Sequence, residues 1–240
     1  IVAGGPIFLG EWQDFPEVDH FILNEGEITL PEFLRDLQLG SPKRVYSTSE
    51  FADVTQSPVP MWELVNFRYY DSLAIQYSRG CPFDCDFCNI TAILGRKPRT
   101  KSAVQIIAEL DKMTQLGWGR NIFFVDDNFI GNRRQIKEEI LPAIIAWRKT
   151  HPDVRFITEV SINLADDPVL IRQMTDAGFV SIFVGIETPD ENSLKECHKG
   201  QNLNRDLGEC VNLLQRSGLQ VMGGFIVGFD TDSASIFRRQ

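Results

Sequence analysis

Residues 79–88 read RGCPFDCDFC and place three of the five cysteines of the chain, Cys81, Cys85 and Cys88, within eight positions. Thiols this close together would close only very small, strained disulfide loops, and a reducing compartment would keep them free. A structural zinc site normally takes four ligands as two separated pairs, and no second pair follows at a suitable spacing. The remaining chemistry is an iron–sulfur cluster, in which three thiolates hold three irons of a cubane and leave the fourth iron open.

The cysteine segment follows the first of five apolar segments that alternate with amphipathic helices. The segments are rich in Val, Ile and Phe, as expected for parallel strands covered by helices. The predicted strands are 73–78, 121–125, 154–160, 180–186 and 220–228, and the predicted helices are 102–116, 132–149, 167–177 and 203–217. Ser102 and Gln105 predict a capping box, and Pro142 predicts a kink or a restart in the second helix. We therefore predict an α/β fold, an open or closed βα barrel.

Each predicted strand is followed by polar residues or glycines. The segments read SRGCPFDCDFCN, VDDNF, EVSIN, GIETPD and GFIVGFD. Because the loops after parallel strands meet at one face of a barrel, we expect these residues to surround one cavity. Glu159, Ser161 and Asn163 alternate along their segment and are predicted to point into the barrel. They would contact a cofactor or substrate there, or find polar partners within the protein.

The sequence before the barrel divides into two parts. Residues 1–40 contain a strand at IVAGGP, a strand at 20–23 and a helix opened by Thr29, with Pro31 in its first turn. Residues 41–71 contain Pro/Ser-rich stretches and are predicted to be a linker, followed by the barrel over 72–240. A buried-type strand stands at residue 1 and a helix follows the fifth barrel strand. We therefore expect a fragment that lacks earlier strands, a sixth barrel strand and any C-terminal domain.

Composition and charge exclude several classes of protein. The net charge of −9 and the pI of about 4.9 disfavour binding to nucleic acid. The basic residues within 95–101 are interpreted as a solvated loop or as the site of an anionic ligand or partner. The longest apolar runs are shorter than the roughly 20 residues of a membrane helix, so no transmembrane segment is expected. The first residues lack the basic leader of a signal peptide, and a cytoplasmic protein is expected.

The C-x3-C-x2-C spacing, with an aromatic residue before the last cysteine and a barrel strand before the first, resembles the signature of the radical S-adenosylmethionine (SAM) enzymes. The resemblance covers roughly residues 55–240 and implies a partial (βα)6 radical SAM barrel. In that family the open iron binds the amino and carboxylate groups of SAM, and the reduced cluster cleaves SAM to a 5′-deoxyadenosyl radical. Cys81, Cys85 and Cys88 would therefore be the ligands of a [4Fe-4S] cluster.

The resemblance extends to the loop acids. VDDNF takes the place of the family's Gly-Gly-Glu stretch, which meets the methionine amine of SAM. Asp126 or Asp127 would then bind that amine, unless the acid serves only to cap the next helix. GIETPD resembles the segment that binds the ribose hydroxyls, with Glu187 as acceptor. Glu159 and Ser161 would contact SAM or the substrate.

The last predicted strand, GGFIVG, matches the family's GxIxG strand. Gly224, Ile226 and Gly228 would lie beside the adenine of SAM, because glycines permit the close approach of a ligand. Thr231 departs from the family pattern, in which an acidic residue often follows this strand.

The first 40 residues resemble the closing part of the Rossmann-like cobalamin-binding domain that precedes the barrel in cobalamin-dependent radical SAM proteins. The family's GEGE stretch is here Asn24-Glu25-Gly26-Glu27, so its first glycine is replaced. Gly4 and Gly5 stand where that domain's glycine turn passes the nucleotide tail of cobalamin.

The two resemblances together imply a cobalamin-dependent radical methylase that acts on an unactivated carbon. The stretches FCNITAILGRKPRTKS and FFVDDNFIGN also resemble a subgroup with hopanoid methylases, which implies a small, lipid-like substrate and an external electron donor. A cobalamin-associated radical cyclase or rearrangement enzyme remains an alternative. A methylthiotransferase is a further one, although no cysteine precedes Cys81 and the chain is acidic. A non-enzymatic metal-binding module would need no SAM pocket.

Overall fold

The computed structural model describes residues 1–240, which form two compact units, Ile1–Ser57 and Pro58–Gln240. The elements of the first unit are β1 (Val2–Gly4), α1 (Phe8–Glu11), β2 (His20–Ile22), α2 (Gly26–Gln38) and β3 (Val45–Tyr46). The three strands form a parallel sheet in the order β1-β2-β3. Strand β3 lies inside the segment that we predicted to be a linker. The linker prediction is therefore wrong for Val45 and Tyr46.

Helix α2 begins four residues before its predicted start, because its N-cap residue is Glu25 rather than Thr29. Thr29 lies within the helix, where its buried hydroxyl donates hydrogen bonds to the carbonyl oxygens of Leu23 and Glu25, both at 3.2 Å. The prediction that Thr29 opens the helix is therefore wrong, and Pro31 lies in the second turn rather than the first.

The second unit contains the predicted alternation of strands and helices. Its elements are β4 (Ser72–Ile75), β5 (Ser78–Arg79), α3 (Ile90–Leu94), β6 (Arg99–Thr100), α4 (Ala103–Gln115), β7 (Asn121–Phe124), α5 (Arg133–Gln135), α6 (Leu141–Arg148), β8 (Arg155–Val160), α7 (Pro168–Ala177), β9 (Phe179–Glu187), α8 (Glu191–Glu196), α9 (Leu207–Arg216), β10 (Gln220–Phe225) and α10 (Ile236–Arg239). Five strands pair in parallel in the order β10-β9-β8-β7-β4. Strands β4 and β10 are the edges of this open sheet. The predicted α/β fold with a partial parallel barrel is confirmed.

The sheet is held to its helices by an apolar core that consists mainly of Ile, Leu and Val and contains a cluster of four phenylalanine rings. Phe124, Phe129, Phe156 and Phe179 are buried, and five pairs of their rings have centroids 5.0 to 5.5 Å apart. Edge-to-face and tilted pairs of this kind add to the stabilisation that burial provides. Phe129 belongs to the segment that follows β7, so these ring contacts join that segment to the sheet.

Three helix predictions meet different outcomes. The capping box of Ser102 and Gln105 opens α4 as predicted. The predicted helix 132–149 is instead interrupted by a π-helical turn, Ile136–Ile140, immediately before α6. Pro142 has no N–H and occupies the first turn of α6, so the chain restarts the α-helix there. Helix α9 begins at Leu207 rather than at 203, because the side chain of Asp206 caps it.

No helix of the chain combines the length and the apolar character needed to cross a membrane.

Candidate functional site

A cavity of about 180 Å³ lies at the carboxyl ends of β7, β8 and β9. Its lining combines thiols, carboxylates and aromatic rings, and it includes residues from four of the five loops that the sequence predicted to converge, but none from GFIVGFD. The lining residues are Cys81, Phe83, Cys85, Phe87, Cys88, Thr91, Asp127, Asn128, Glu159, Val160, Ser161, Phe183, Gly185, Glu187, Lys199 and Gln201. Sequence reasoning had not assigned Asn128, Lys199 or Gln201 to the site.

The cysteine loop is closed at its base by the antiparallel pair β5–β6, in which Ser78 faces Thr100. At the start of the loop Gly80 has φ +96°, and a Cβ atom there would lie 2.7 Å from the carbonyl oxygen of Gly95. The same oxygen accepts a hydrogen bond of 3.2 Å from the N–H of Cys81. A glycine is therefore required at this turn. The predicted strand 73–78 is wrong at its end, because β4 stops at Ile75 and a separate strand follows.

The three cavity cysteines are free, half-buried thiols. Burial raises the pKa of Cys81 and of Cys85, so both favour the protonated form before a metal binds. Metal binding must then release protons. No group of three Cys, His, Asp or Glu side chains is arranged around a single metal ion. A cubane cluster does not need such an arrangement, because each thiolate binds a different iron.

Polar groups of the protein are also directed at the sulfur atoms. Gln201 is 9% exposed, and its Nε2 donates a hydrogen bond of 3.7 Å to Cys85 Sγ. The Oε1 atom of the same side chain is buried and has no hydrogen-bond partner. Buried amide oxygens are normally paired, so this one indicates room for a further polar group in the cavity. The residues present therefore fit an iron–sulfur cluster with an additional ligand.

The two aspartates of VDDNF point in different directions. Asp126 is 1% exposed and accepts hydrogen bonds from the N–H of Tyr77, at 3.1 Å, and from the N–H and hydroxyl of Ser78. Asp126 does not line the cavity and fixes the start of the cysteine loop, so Asp127 is the one of the two predicted candidates that faces the cavity. These bonds also explain the end of β4, because they take the N–H groups that a longer strand would use. Asp127 lines the cavity, and burial raises its pKa.

Asp126 makes the stability of the fold depend on pH. Burial raises the pKa of Asp126 to about 7, above the value of the unfolded chain. The folded state then binds a proton that the unfolded state has lost, so wild-type stability should fall as the pH rises from about 4 to 7. We expect Asp126→Asn to make this fall smaller but not to remove it, because burial also raises the pKa values of Glu109, Asp127 and Glu159. Urea unfolding of both proteins at several pH values measures the difference, and parallel pH profiles would contradict the expectation.

Glu159 and Ser161 both line the cavity, but their surroundings differ. Glu159 is half-buried and has no hydrogen-bond or salt-bridge partner, and its pKa is raised by burial and, to a lesser extent, by Asp127. The hydroxyl of Ser161 accepts a bond of 3.2 Å from Asn128 and donates one of 2.7 Å to Asn163 Oδ1. The predicted alternation does not reach Asn163, because β8 ends at Val160 and a 3₁₀ turn follows. Glu159 is therefore the free carboxylate of the cavity.

Glu187 forms an ion pair with Lys199 at the wall of the cavity. Lys199 Nζ lies 2.7 Å from Glu187 Oε1, and both side chains are almost fully buried. Glu187 has φ +62°, an uncommon conformation for a residue with a side chain. A Cβ atom on Gly185 would lie 2.3 Å from Glu187 Oε1, so a glycine is needed for the carboxylate to fold back over the strand.

The glycines of GGFIVG lie outside the cavity lining. A Cβ atom on Gly224 would lie 2.6 Å from the ring of Phe183, and the N–H of Ile226 donates a bond of 2.8 Å to the carbonyl of Glu187. Gly228 has φ +112°, and its N–H donates a bond of 2.9 Å to Asp232 Oδ2. An acid therefore does follow this strand, one position beyond Thr231.

Packing within the first unit is enough to explain the glycine at one of the two positions that were predicted to lie beside cobalamin. A Cβ atom on Gly4 would lie 2.6 Å from the carbonyl oxygen of Ile22 in the neighbouring strand. Gly5 has φ +101° and no atom within 4 Å of a Cβ position, so nothing in this unit crowds it.

Residues 75–238, more than half of the chain, match the radical SAM superfamily. The chain belongs to the radical SAM superfamily. The cofactors of this superfamily are a [4Fe-4S] cluster and SAM, as the cysteine spacing indicated. The chain therefore has the fold and the family of an enzyme.

Two curated relatives and one solved structure are similar over nearly all of this radical SAM chain. An uncharacterized methyltransferase of Synechocystis sp. is 46% identical over 96% of the chain and 43% of its own length. The hopanoid C-2 methylase of Rhodopseudomonas palustris is 37% identical over 97% and 45%. The radical SAM methyltransferase TsrM from Kitasatospora setae has a TM-score of 0.78 at 16% identity, over 99% of this chain and 51% of that one. The chain thus spans less than half the length of the two curated relatives.

Proposed function

We propose that this chain forms the cluster and SAM site of a cobalamin-dependent radical methyltransferase, with Cys81, Cys85 and Cys88 as cluster ligands. The observation that carries the proposal is the convergence of these three thiols with Asp127 and Glu159 on one cavity. When bound, the reduced cluster supplies the electron that cleaves SAM to methionine and a 5′-deoxyadenosyl radical. The protein's own part is to hold the reactants and exclude water.

The carboxylates divide the recognition of SAM between them. Asp127 and Glu159 face the cavity and supply acceptors for the methionine ammonium, and neither needs to break a salt bridge to do so. Glu187 is the acceptor for the ribose hydroxyls, held in place by Lys199. Ser161 lines the same wall and adds a hydroxyl contact.

The adenine of SAM is assigned to the backbone around Gly224, Ile226 and Gly228. The N–H of Ile226 donates a hydrogen bond to the backbone carbonyl of Glu187. This bond fixes the segment assigned to adenine relative to the residue assigned to the ribose. The glycines of this segment have no side chain and therefore permit the close approach of adenine to the backbone.

The transfer of a methyl group rests on the relatives. Both curated relatives carry methyltransferase or methylase names and align with nearly the whole chain. We assign residues 1–40 to the closing part of a cobalamin-binding domain, with Gly4 and Gly5 at the nucleotide tail. The substrate is a small, apolar, lipid-like molecule with an unactivated carbon, and the reducing electron comes from an external donor.

Anaerobic reconstitution of the full-length protein tests the proposal. We expect bound iron and sulfide, 5′-deoxyadenosine formation from SAM under reduction, and a corrinoid bound to the protein. Glu159→Gln should lower 5′-deoxyadenosine formation by about 10-fold or more, since a carboxylate that orients a ligand of the metal is lost. Iron content equal to wild type in this variant is the control. A cluster whose spectrum does not change with SAM would contradict the SAM site, and the absence of corrinoid would favour a different radical reaction.

A further inference from the structure

Residues 197–201, which read CHKGQ, lie across the cysteine loop, and we refer to them as the strap. The N–H of Asp86 donates a hydrogen bond of 3.1 Å to the carbonyl of Cys197, and His198 Nδ1 lies 2.6 Å from Asp86 Oδ1. Gln201 Nε2 donates to Cys85 Sγ at 3.7 Å. Three contacts therefore join the strap to two consecutive residues of the loop.

The cap of helix α8 sets the path of the strap. The N–H of His198 donates to the carbonyl of Lys195, and the N–H of Lys199 donates to that of Leu194. His198 has φ +54°, which completes the pattern of a Schellman cap. The chain therefore turns sharply at His198, and the next residue, Lys199, reaches the cavity.

Lys199 is a buried cation at the cavity wall. The residue is 9% exposed, and its Nζ atom is paired with Glu187 and lies 5.6 Å from the ring centroid of Phe87. An ammonium in such surroundings interacts strongly with nearby charges, because little water is present to screen it. Phe87 stands between Cys85 and Cys88 in the sequence, and Lys199 lines the same cavity as these two cysteines.

The ion pair presents its ammonium end to the cysteine loop. Lys199 Nζ lies over the ring of Phe87, and Gln201, two residues further along the strap, donates its N–H to Cys85 Sγ. Both side chains line the cavity together with Cys85 and Cys88.

We propose that Lys199 and Gln201 of the strap are positioning residues that raise the reduction potential of the cluster at its Cys85 corner. The inference rests on the proposed function, because it assumes a cluster on the three thiols. Reduction adds one electron from the external donor to the cluster and makes it more negative. A nearby cation and an N–H donor to sulfur both stabilise the more negative state.

The test is a redox titration of the reconstituted full-length protein without SAM, followed by electron paramagnetic resonance. At the midpoint potential of the wild type, Lys199→Met should decrease the ratio of reduced to oxidised cluster by about tenfold, equivalent to about 59 mV for one electron. Lys199→Arg should stay near the wild type because it keeps the charge. Gln201→Leu should lower the potential by less than Lys199→Met, since it removes one N–H donor and no charge.

Two control variants separate the local effect from other causes. Lys195→Met removes a charge from helix α8, which precedes the strap, but this side chain is 59% exposed, and no shift is expected. The double variant Lys199→Met/Glu187→Gln removes the whole pair and should still lower the potential, by less than Lys199→Met alone. If it stays at the wild-type potential or rises above it, the proposal is overturned.

The outcomes distinguish the inference from the proposed function. A wild-type protein that takes up no cluster contradicts the proposed function and the inference with it. Normal iron content with unchanged potentials in Lys199→Met and Gln201→Leu overturns the inference alone. If Lys199→Met fails to fold, the double variant and Gln201→Leu are measured in its place, and a wild-type potential in the double variant overturns the inference.

Discussion

Cys85→Ala in the full-length protein is expected to lose the iron–sulfur cluster and to lower 5′-deoxyadenosine formation by more than about 100-fold. Alanine removes one of the three thiolates proposed to hold the cluster, and no other thiol lines the cavity. Iron and sulfide analysis and the yield of 5′-deoxyadenosine measure the two effects. The same result is expected for Cys81→Ala and Cys88→Ala.

Cys210→Ala is the matched control for this loss. Cys210 is also a free thiol, but it packs against the apolar core and does not line the cavity. The variant should keep its iron and its activity, with a modest loss of stability. Equal iron content in Cys85→Ala and Cys210→Ala would contradict the assignment of the cluster to the cysteine loop.

Gly80→Ala is expected to disrupt the cysteine loop without touching a thiol. A Cβ atom at Gly80 would lie 2.7, 3.0 and 3.2 Å from the carbonyl oxygens of Gly95, Leu94 and Lys97. The left-handed backbone and the overpacking together should lower the free energy of unfolding by roughly 3 kcal/mol. The loop must also move, so the cluster yield should fall sharply. Urea unfolding and iron content after reconstitution measure both consequences.

Gly117→Ala separates backbone strain from steric clash. Gly117 has φ +92°, close to that of Gly80, but no atom lies within 4 Å of its Cβ position. We expect a loss of only about 1 kcal/mol in stability and a normal cluster yield. If the two variants lost the same stability and kept the same iron, the crowding around Gly80 would not matter to the loop.

The barrel was predictable because its signals are local and repeated. Apolar runs mark each parallel strand, and glycines or capping residues mark the ends of α4 and α7, as Ser102 and Gly178 do. The cysteine spacing then identified the chemistry at the end of the first strand. Helix α8 escaped prediction although Asp190 caps it, since only six residues carry it and they have no clear apolar period.

The roles of individual polar residues were less predictable, because they depend on long-range contacts. Asp126 and Asp127 are adjacent in the sequence, yet the first is bonded to Tyr77 and Ser78 and the second faces the cavity. Neighbouring residues at a strand end point to opposite sides, and the sequence does not say which side holds the ligand. Lys199 and Gln201 follow a short helix with no recognisable motif, so only the fold brings them to the cysteines.

The antiparallel pair of β5 and β6 ties together the two ends of the segment that carries the thiols. Bringing the ends of a chain segment together costs conformational entropy, and the cost increases with the number of residues between them. Here the pairing of β5 with β6 offsets this entropic cost when the polypeptide folds, without a contribution from bound iron. Binding of a cluster then needs to order only the residues between β5 and β6, because the two ends of the segment are already paired. We therefore expect cluster uptake to change the structure locally and to leave the parallel sheet unchanged.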